Sequence, residues 1–108
     1  MIDVTVYVDS NKKYKGYRLC GHAGYDEYGH DIICAAASVI AQNTANSIEK
    51  FTQDRFKTIL DEDEGLLEIK FIGDIGRDTI LLMKSFELGI ESIVEDNEDY
   101  IKMRYKEV

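Results

Sequence analysis

Both cysteines and both histidines of this 108-residue chain lie between Cys20 and Cys34. Thiolate and imidazole are side chains that proteins use as nucleophile, as base and as zinc ligand. A free cysteine can also be no more than a small buried hydrophobic group. The cluster therefore leaves three interpretations open: a metal site, a thiol catalyst, or cysteines that only fill space in the core.

A zinc site would use Cys20, His22, His30 and Cys34 as its four ligands. Two thiolates and two imidazoles form a chemically sound tetrahedral set. The spacing, Cys-x-His followed by His-x3-Cys, matches none of the usual finger or ribbon patterns. A chain of this length also buries enough surface to fold without a structural ion. We therefore predict no metal and no other cofactor, with this zinc site as an alternative.

A thiol catalyst would use Cys34 as the nucleophile and His22 as the base. Asp31 is a good N-cap for a following helix, which places Cys34 at the third helical position. The positive end of the helix dipole favours thiolate there and can lower a cysteine pKa from about 8.5 to about 3.5–7.5. The free N–H groups of the same turn can stabilise an oxyanion. In this interpretation Cys20 is filler and His30 is a solvated loop residue.

Two neighbours of Cys34 are candidate supporting residues. Asp31 lies within one turn of Cys34, and its negative charge opposes thiolate formation unless it is directed elsewhere. The sequence favours a capping role for Asp31, and orientation of the imidazole is the alternative. Ser38 lies one turn after Cys34 on the same helix face. We expect its hydroxyl to hydrogen-bond near the thiol, with packing among the alanines as the alternative.

Hydrophobic periodicity predicts the elements that position these residues. Alternation predicts strands at residues 2–8, 14–22 and 100–107, and two more around an acidic turn within residues 56–73. Spacings of three and four predict helices at residues 31–52 and 77–95. The order ββαββαβ indicates one α+β domain over residues 1–108, a two-layer sandwich with a mostly antiparallel sheet packed against two helices. The residues predicted to face inward are Ile33, Ala37, Ile40, Thr44, Ile48 and Phe51 in the first helix, and Leu82, Met83, Phe86, Ile90 and Ile93 in the second.

Charge and hydropathy narrow the function classes. The net charge of −8 argues against direct binding of nucleic acid, which needs cationic side chains to displace counterions. No apolar run is long enough to span a membrane, and the first residues lack a signal-peptide pattern. We therefore expect a cytoplasmic protein with reduced thiols and no membrane partner. The acidic residues 61–64 and 95–99 indicate solvated turns, with attraction of a basic partner as the alternative.

Two blocks of the cluster resemble the signature of the ribosomal-processing cysteine proteases. In that family a Gly-His-Ala segment precedes Asp-Ile-Val-Cys-Ala-Ala-x-Ser. The corresponding residues here are Gly21-His22-Ala23 and Asp31-Ile32-Ile33-Cys34-Ala35-Ala36-Ala37-Ser38. Ile33 in place of the frequent Val is the departure, and it is conservative. The resemblance extends over the whole chain in length and in element order.

The resemblance implies a His/Cys dyad in which His22 is the base and Cys34 the nucleophile, on a fold unlike that of papain. It implies a homodimer that removes a short N-terminal extension from a basic large-subunit ribosomal protein of the L-twenty-seven family, the precursor being its peptide substrate. The segment between the dyad residues is then a candidate substrate loop, with Gly24 and Gly29 permitting movement. Tyr25 and Tyr28 either pack against apolar substrate side chains or anchor the loop tip. The alternative belongs to a different function class: a non-enzymatic, ribosome-associated binding module.

Overall fold

The computed structural model describes residues 1–21 and 30–108. Five strands and two helices follow one another in the order ββαββαβ, which confirms the predicted order. Each boundary lies within two residues of its predicted position. The elements are β1 (Ile2–Val8), β2 (Tyr14–Cys20), α1 (His30–Phe51), β3 (Arg55–Asp61), β4 (Leu66–Ile72), α2 (Arg77–Asp96) and β5 (Ile101–Glu107).

The strands form one sheet in the order β3-β4-β2-β1-β5. The pairs β3–β4, β4–β2 and β2–β1 are antiparallel, and β5 lies parallel to β1. The sheet is therefore mixed, with the antiparallel majority that the sequence predicts. The parallel pair exists because α2 carries the chain back to the end of the sheet at which β1 begins.

Both helices pack on one face of the sheet. Tyr17 of β2 and Phe86 of α2 are fully buried, with their ring centroids 4.4 Å apart. The Tyr17 hydroxyl donates a 2.7 Å hydrogen bond to the carbonyl of Ala41, and Ala37 and Ala41 are fully buried. The small residues of α1 thus let the sheet approach the helix closely.

The predicted inward stripes are confirmed except at one position. Ile33, Ala37, Thr44 and Ile48 of α1 are buried and Ile40 is half-buried. Phe51 was predicted to be buried and is 70% exposed, because it is the last residue of α1, where the chain turns away towards β3. In α2, Met83, Phe86 and Ile90 are buried, and Leu82 and Ile93 are half-buried.

The connection between α1 and β3 fixes the start of α2. A side-chain oxygen of Asp54 accepts a 2.8 Å hydrogen bond from the backbone N–H of Gly76, which is the N-cap of α2. The same oxygen accepts a 2.5 Å hydrogen bond from the hydroxyl of buried Thr79. One carboxylate therefore satisfies a free backbone donor and places negative charge at the positive end of the helix dipole.

The fold raises the pKa of four tyrosines, Tyr7, Tyr14, Tyr17 and Tyr105, and so favours their neutral form. Burial and a hydrogen bond to Glu68 raise the pKa of Tyr7 to about 12. Burial and a hydrogen bond to Glu87 raise the pKa of Tyr14 above its ordinary value. Burial alone raises the pKa of Tyr17. Each tyrosinate is disfavoured in the folded protein because it would be desolvated, and those of Tyr7, Tyr14 and Tyr105 would also face a carboxylate.

Candidate active site

A groove of about 460 Å³ lies between α1 and the strands β3 and β4. β3 is the edge strand of the sheet, and most of its side chains are exposed. Its residues Phe56, Thr58 and Leu60 lie on the helix side of the sheet and form one wall of the groove. The groove exists because the helix layer leaves this edge of the sheet open. Its volume and its apolar wall residues are typical of a ligand-binding site.

Cys34 and Ser38 both line this groove. They lie one turn apart on α1, so the predicted shared face is confirmed. Cys34 is half-buried and packs against the hydrophobic core, while part of its side chain faces the groove. A sulfur in this position is reachable by a ligand and supported from behind by the core.

The helix begins earlier than the sequence predicts. Since helical hydrogen bonding already includes His30, Asp31 lies in the first turn of α1 and is not its N-cap. Cys34 is consequently the fifth helical residue, not the third. The free backbone N–H groups and the strongest dipole effect belong to the first turn. The helix end therefore acts on Cys34 from one turn away, and stabilisation of an oxyanion by its free N–H groups stays a prediction.

The segment that leads to His22 also reaches the groove. Gly21, the residue before His22, lines it, and its backbone N–H donates a 3.2 Å hydrogen bond to the carbonyl of Gly65 in the β3–β4 turn. Gly65 has φ = +61°, and a Cβ on it would lie 2.2 Å from the carbonyl oxygen of Gly21. The two glycines thus allow the turn and the end of β2 to approach more closely than side chains would permit.

Cys20 lies on the other side of the sheet. It is the last residue of β2, and Leu19, beside it, faces the helices and is buried. Successive strand residues alternate between faces, so Cys20 faces away from α1 and Cys34. Its sulfur lies 3.8 Å from the carbonyl oxygen of Glu64. This position contradicts a zinc site that uses both cysteines, and no group of three or more metal-binding side chains occurs among the described residues.

Several predicted residues fall outside the part of the chain that is described. They are His22, Gly24, Tyr25, Tyr28 and Gly29, together with the side chains of His30 and Asp31. Their predicted roles in catalysis, substrate contact and support stay predictions. Of the predicted site residues, the described part of the chain brings together Cys34 and Ser38.

A row of polar residues in the groove was not predicted. Gln42, Asn46 and Glu49 follow Ser38 along the same side of α1 and line the groove. The spacing of three and four residues was the available signal, since these polar residues continue the face that carries Cys34. It was missed because exposed polar residues on a helix ordinarily indicate only solvent contact.

The acidic β3–β4 turn has both a structural role and a position at the groove. Asp61 accepts backbone hydrogen bonds from Asp63 at 3.1 Å and from Glu64 at 3.3 Å, so its side chain stabilises the turn. Asp61 and Glu62 also line the groove. The solvated-turn interpretation and the basic-partner interpretation of this segment are therefore compatible.

None of the helices in residues 30–108 combines the length and the hydropathy that crossing a membrane requires.

Comparisons with known proteins agree over nearly the whole chain. A family model described as cysteine protease Prp matches residues 1–102. The ribosomal processing cysteine protease Prp of Staphylococcus aureus is 29% identical over 106 residues, which cover 98% of this chain and 100% of that protein.

Solved structures of similar sequence have the same fold. The S. aureus ribosomal processing protease Prp in complex with a substrate peptide has a TM-score of 0.91 and 28% identity. The same protease with a covalently linked product peptide has a TM-score of 0.87 and 29% identity. Each match covers 98% of this chain and all of that chain.

Proposed function

This chain belongs to the cysteine protease Prp family, and from that premise we propose that it is the endopeptidase that removes a short N-terminal extension from a basic large-subunit ribosomal protein of the L-twenty-seven family. The chain is a cysteine protease of a ribosomal processing family. The proposal concerns the residues that carry out the reaction and the identity of the substrate.

We assign the nucleophile to Cys34 and the base to His22. The observation that carries this assignment is the position of the two sulfurs. Cys34 opens onto the groove, whereas Cys20 lies on the opposite face of the sheet. Support for His22 comes from Gly21, which lines the groove and is followed directly by the histidine. Ser38 lies beside Cys34 in the groove and is a supporting residue, and Asp31 is a second one in the first turn of α1.

The reaction follows the usual order for a thiol protease. The Cys34 thiolate attacks the scissile carbonyl carbon, and the negative charge moves to the carbonyl oxygen. The C–N bond then breaks, and His22 gives its proton to the departing amine. A water molecule, deprotonated by His22, attacks the resulting thioester. The C–S bond breaks, the carboxylate product leaves, and the thiolate is restored.

The groove residues support a basic peptide as substrate. Glu49 and Glu62 place two carboxylates at the groove, while Phe56 and Leu60 supply apolar contacts. Carboxylates raise the local concentration of a cationic chain and favour its encounter with the site. A precursor of a basic ribosomal protein matches the charge of these carboxylates.

We also propose that the cytoplasmic enzyme is a homodimer that associates through its helix layer. No charged residue lies between Ile32 and Ile48 in α1, and Ile32 and Val39 are exposed there. Leu81 and Leu88 of α2 are each about two-thirds exposed. Exposed apolar residues on adjacent helices are typical of association surfaces, and Lys84 lies one turn from both leucines on the same side of α2. Leu88→Lys should yield a monomer in size-exclusion chromatography with light scattering, and Ile72→Lys, on β4, should leave the oligomeric state unchanged.

The central experiment incubates the protein with the extended ribosomal precursor and determines the new N-terminus by mass spectrometry. Cys34→Ala and Cys34→Ser should fold normally and leave the precursor intact, whereas Cys20→Ser should keep its activity. His22→Ala should lose nearly all activity and His30→Ala little. Parent-like cleavage by Cys34→Ala would refute the assignment, and equal loss from both histidine variants would contradict a dyad.

A further inference from the structure

The face of the sheet that the helices leave open is positively charged, although the chain as a whole is acidic. Paired residues on neighbouring strands share a face, so the register defines this surface. We call it the open sheet face. Its cationic residues are Arg18, Arg55, Lys57, Lys70, Lys102, Arg104 and Lys106, and its carboxylates are Asp3, Asp61 and Glu68.

Seven cations against three carboxylates give the open sheet face an excess of four positive charges in a chain of net charge −8. Asp3 pairs with Lys102 at 3.3 Å, and Glu68 lies 3.8 Å from Arg18 and 3.9 Å from Lys70. Glu68 is only 13% exposed, whereas Lys70 is 60% exposed and Lys102 is 55% exposed. Asp3 and Glu68 thus lie beside cations that are more exposed than they are, and the exposed charge of this face is mainly cationic.

Two rows of this surface cross the sheet. One row runs from Lys57 through Lys70 to Lys106, and the next contains Arg18 and Arg104. Neighbouring strands lie about 4.8 Å apart, and same-face residues of one strand about 6.6 Å apart, so the face of the five strands is about 20 Å wide. Such a patch offers several cations at once to a regular array of anions.

From this surface we infer a binding site for the phosphate backbone of double-stranded RNA. Tyr7, the aromatic residue of this face in β1, is only 7% exposed and offers no platform for unpaired bases. A sheet face of five strands is also too broad to enter the major groove of DNA, which admits a helix or a two-stranded ribbon. The shallow, wide minor groove of an A-form helix accepts a broad surface and presents phosphates on both sides.

The choice of RNA over DNA as the occupant rests on the proposed ribosomal substrate as well as on shape. The groove with Cys34 lies on the helix side of the sheet, so the sheet separates it from the open sheet face. RNA and the precursor can therefore be bound at the same time. An RNA-bound protease would be held beside substrates that associate with RNA.

The test is fluorescence anisotropy with a labelled RNA duplex of about 20 base pairs and the Cys34→Ala protein. Four effective contacts predict a log–log salt slope of about −3.6, which weakens the affinity about 100-fold between 50 and 200 mM salt. The triple variant Lys57→Glu, Lys70→Glu, Arg104→Glu should weaken binding at least tenfold at 50 mM salt. The triple alanine variant should lower the slope by about one per cation removed.

The matched control is Lys50→Glu, Arg77→Glu, Lys84→Glu, which changes the net charge equally but alters cations of the helices. It should stay within threefold of the parent affinity. Any of four results would overturn the inference. The first two are equal loss of affinity in both triple variants and no binding at 50 mM salt. The others are equal or tighter binding of a DNA duplex of the same sequence, and stronger competition by polyglutamate than by unlabelled RNA. Sheet-face variants that keep Cys34 should cleave the peptide at the rate of the parent. Failure of the RNA-binding proposal can therefore be distinguished from failure of the proposed protease function.

Discussion

Gly65 offers a test of whether the β3–β4 turn positions the segment that carries His22. It has φ = +61°, and its carbonyl accepts the hydrogen bond from the N–H of Gly21. A Cβ at position 65 would lie 2.2 Å from the oxygen and 2.9 Å from the carbon of the Gly21 carbonyl. Gly65→Ala therefore pushes the turn and the end of β2 apart.

The size of the effect follows from these distances. Ordinary contact begins at about 3.4 Å, so the Gly21 oxygen and the new Cβ must separate by roughly 1.2 Å. A misplacement of about 1 Å can reduce catalysis about 100-fold. Since the turn and Gly21 can share the movement, we expect kcat/KM to fall about 10- to 100-fold. The left-handed conformation adds roughly 1–2 kcal/mol of destabilisation, and crowding adds about 1–3 kcal/mol.

Gly73→Ala is the matched control. Gly73 also has a positive φ, +76°, but a Cβ there would meet nothing within 4 Å. Both variants should lose stability in urea unfolding, and only Gly65→Ala should lose activity in a peptide-cleavage assay performed well below its melting temperature. If Gly65→Ala cleaves the peptide at the rate of Gly73→Ala, the turn does not position the catalytic segment.

Three further outcomes can be measured on the same protein. Asp54→Ala should lower the free energy of unfolding by about 1–2 kcal/mol, because it removes the carboxylate that accepts hydrogen bonds from the N–H of Gly76 and the hydroxyl of Thr79; a change below about 0.5 kcal/mol in urea unfolding would contradict that role. Stability should fall as the pH rises above 10, since unfolded tyrosine ionises there while the folded pKa of Tyr7 is about 12 and that of Tyr17 is also raised. Urea midpoints at pH 9 and pH 11 measure this loss, which should be smaller in Tyr7→Phe, and equal midpoints would argue against it. A limiting dose of iodoacetamide near neutral pH should label Cys34 before Cys20, and mass spectrometry showing equal labelling would count against a reactive Cys34.

The elements of the fold were predictable because each carries a local pattern. The alternation in residues 2–8 predicts β1 with its observed bounds, Ile2–Val8. The stripe from Ile33 to Ile48 predicts the buried side of α1. The prediction that Phe51 is buried is wrong because periodicity does not reveal where a helix projects beyond the sheet that would cover it.

The arrangement of the elements was harder to predict from the sequence. Alternation in β5 shows which residues face the helices but not that β1 is its neighbour, since pairing depends on long-range contacts. The groove depends on β3 being an edge strand that the helices leave open, which no local pattern encodes. Cys34 and Ser38 could be placed on one helix face from sequence, but Phe56 and Thr58 opposite them could not.

The net charge also does not reveal how residues are arranged in space. The value of −8 predicts no direct contact with nucleic acid, and that prediction treats the charge as uniformly distributed. The residues of each strand alternate between the two faces of a sheet. Here Lys57, Lys70 and Arg104 lie on the open sheet face, while Glu49 and Glu62 lie at the groove on the other side. At about 0.15 M ionic strength, charges more than about 8 Å apart are largely screened. A ligand on one face therefore responds mainly to the charges of that face, so an acidic protein can attract a cationic peptide at the groove and a polyanion at the open sheet face.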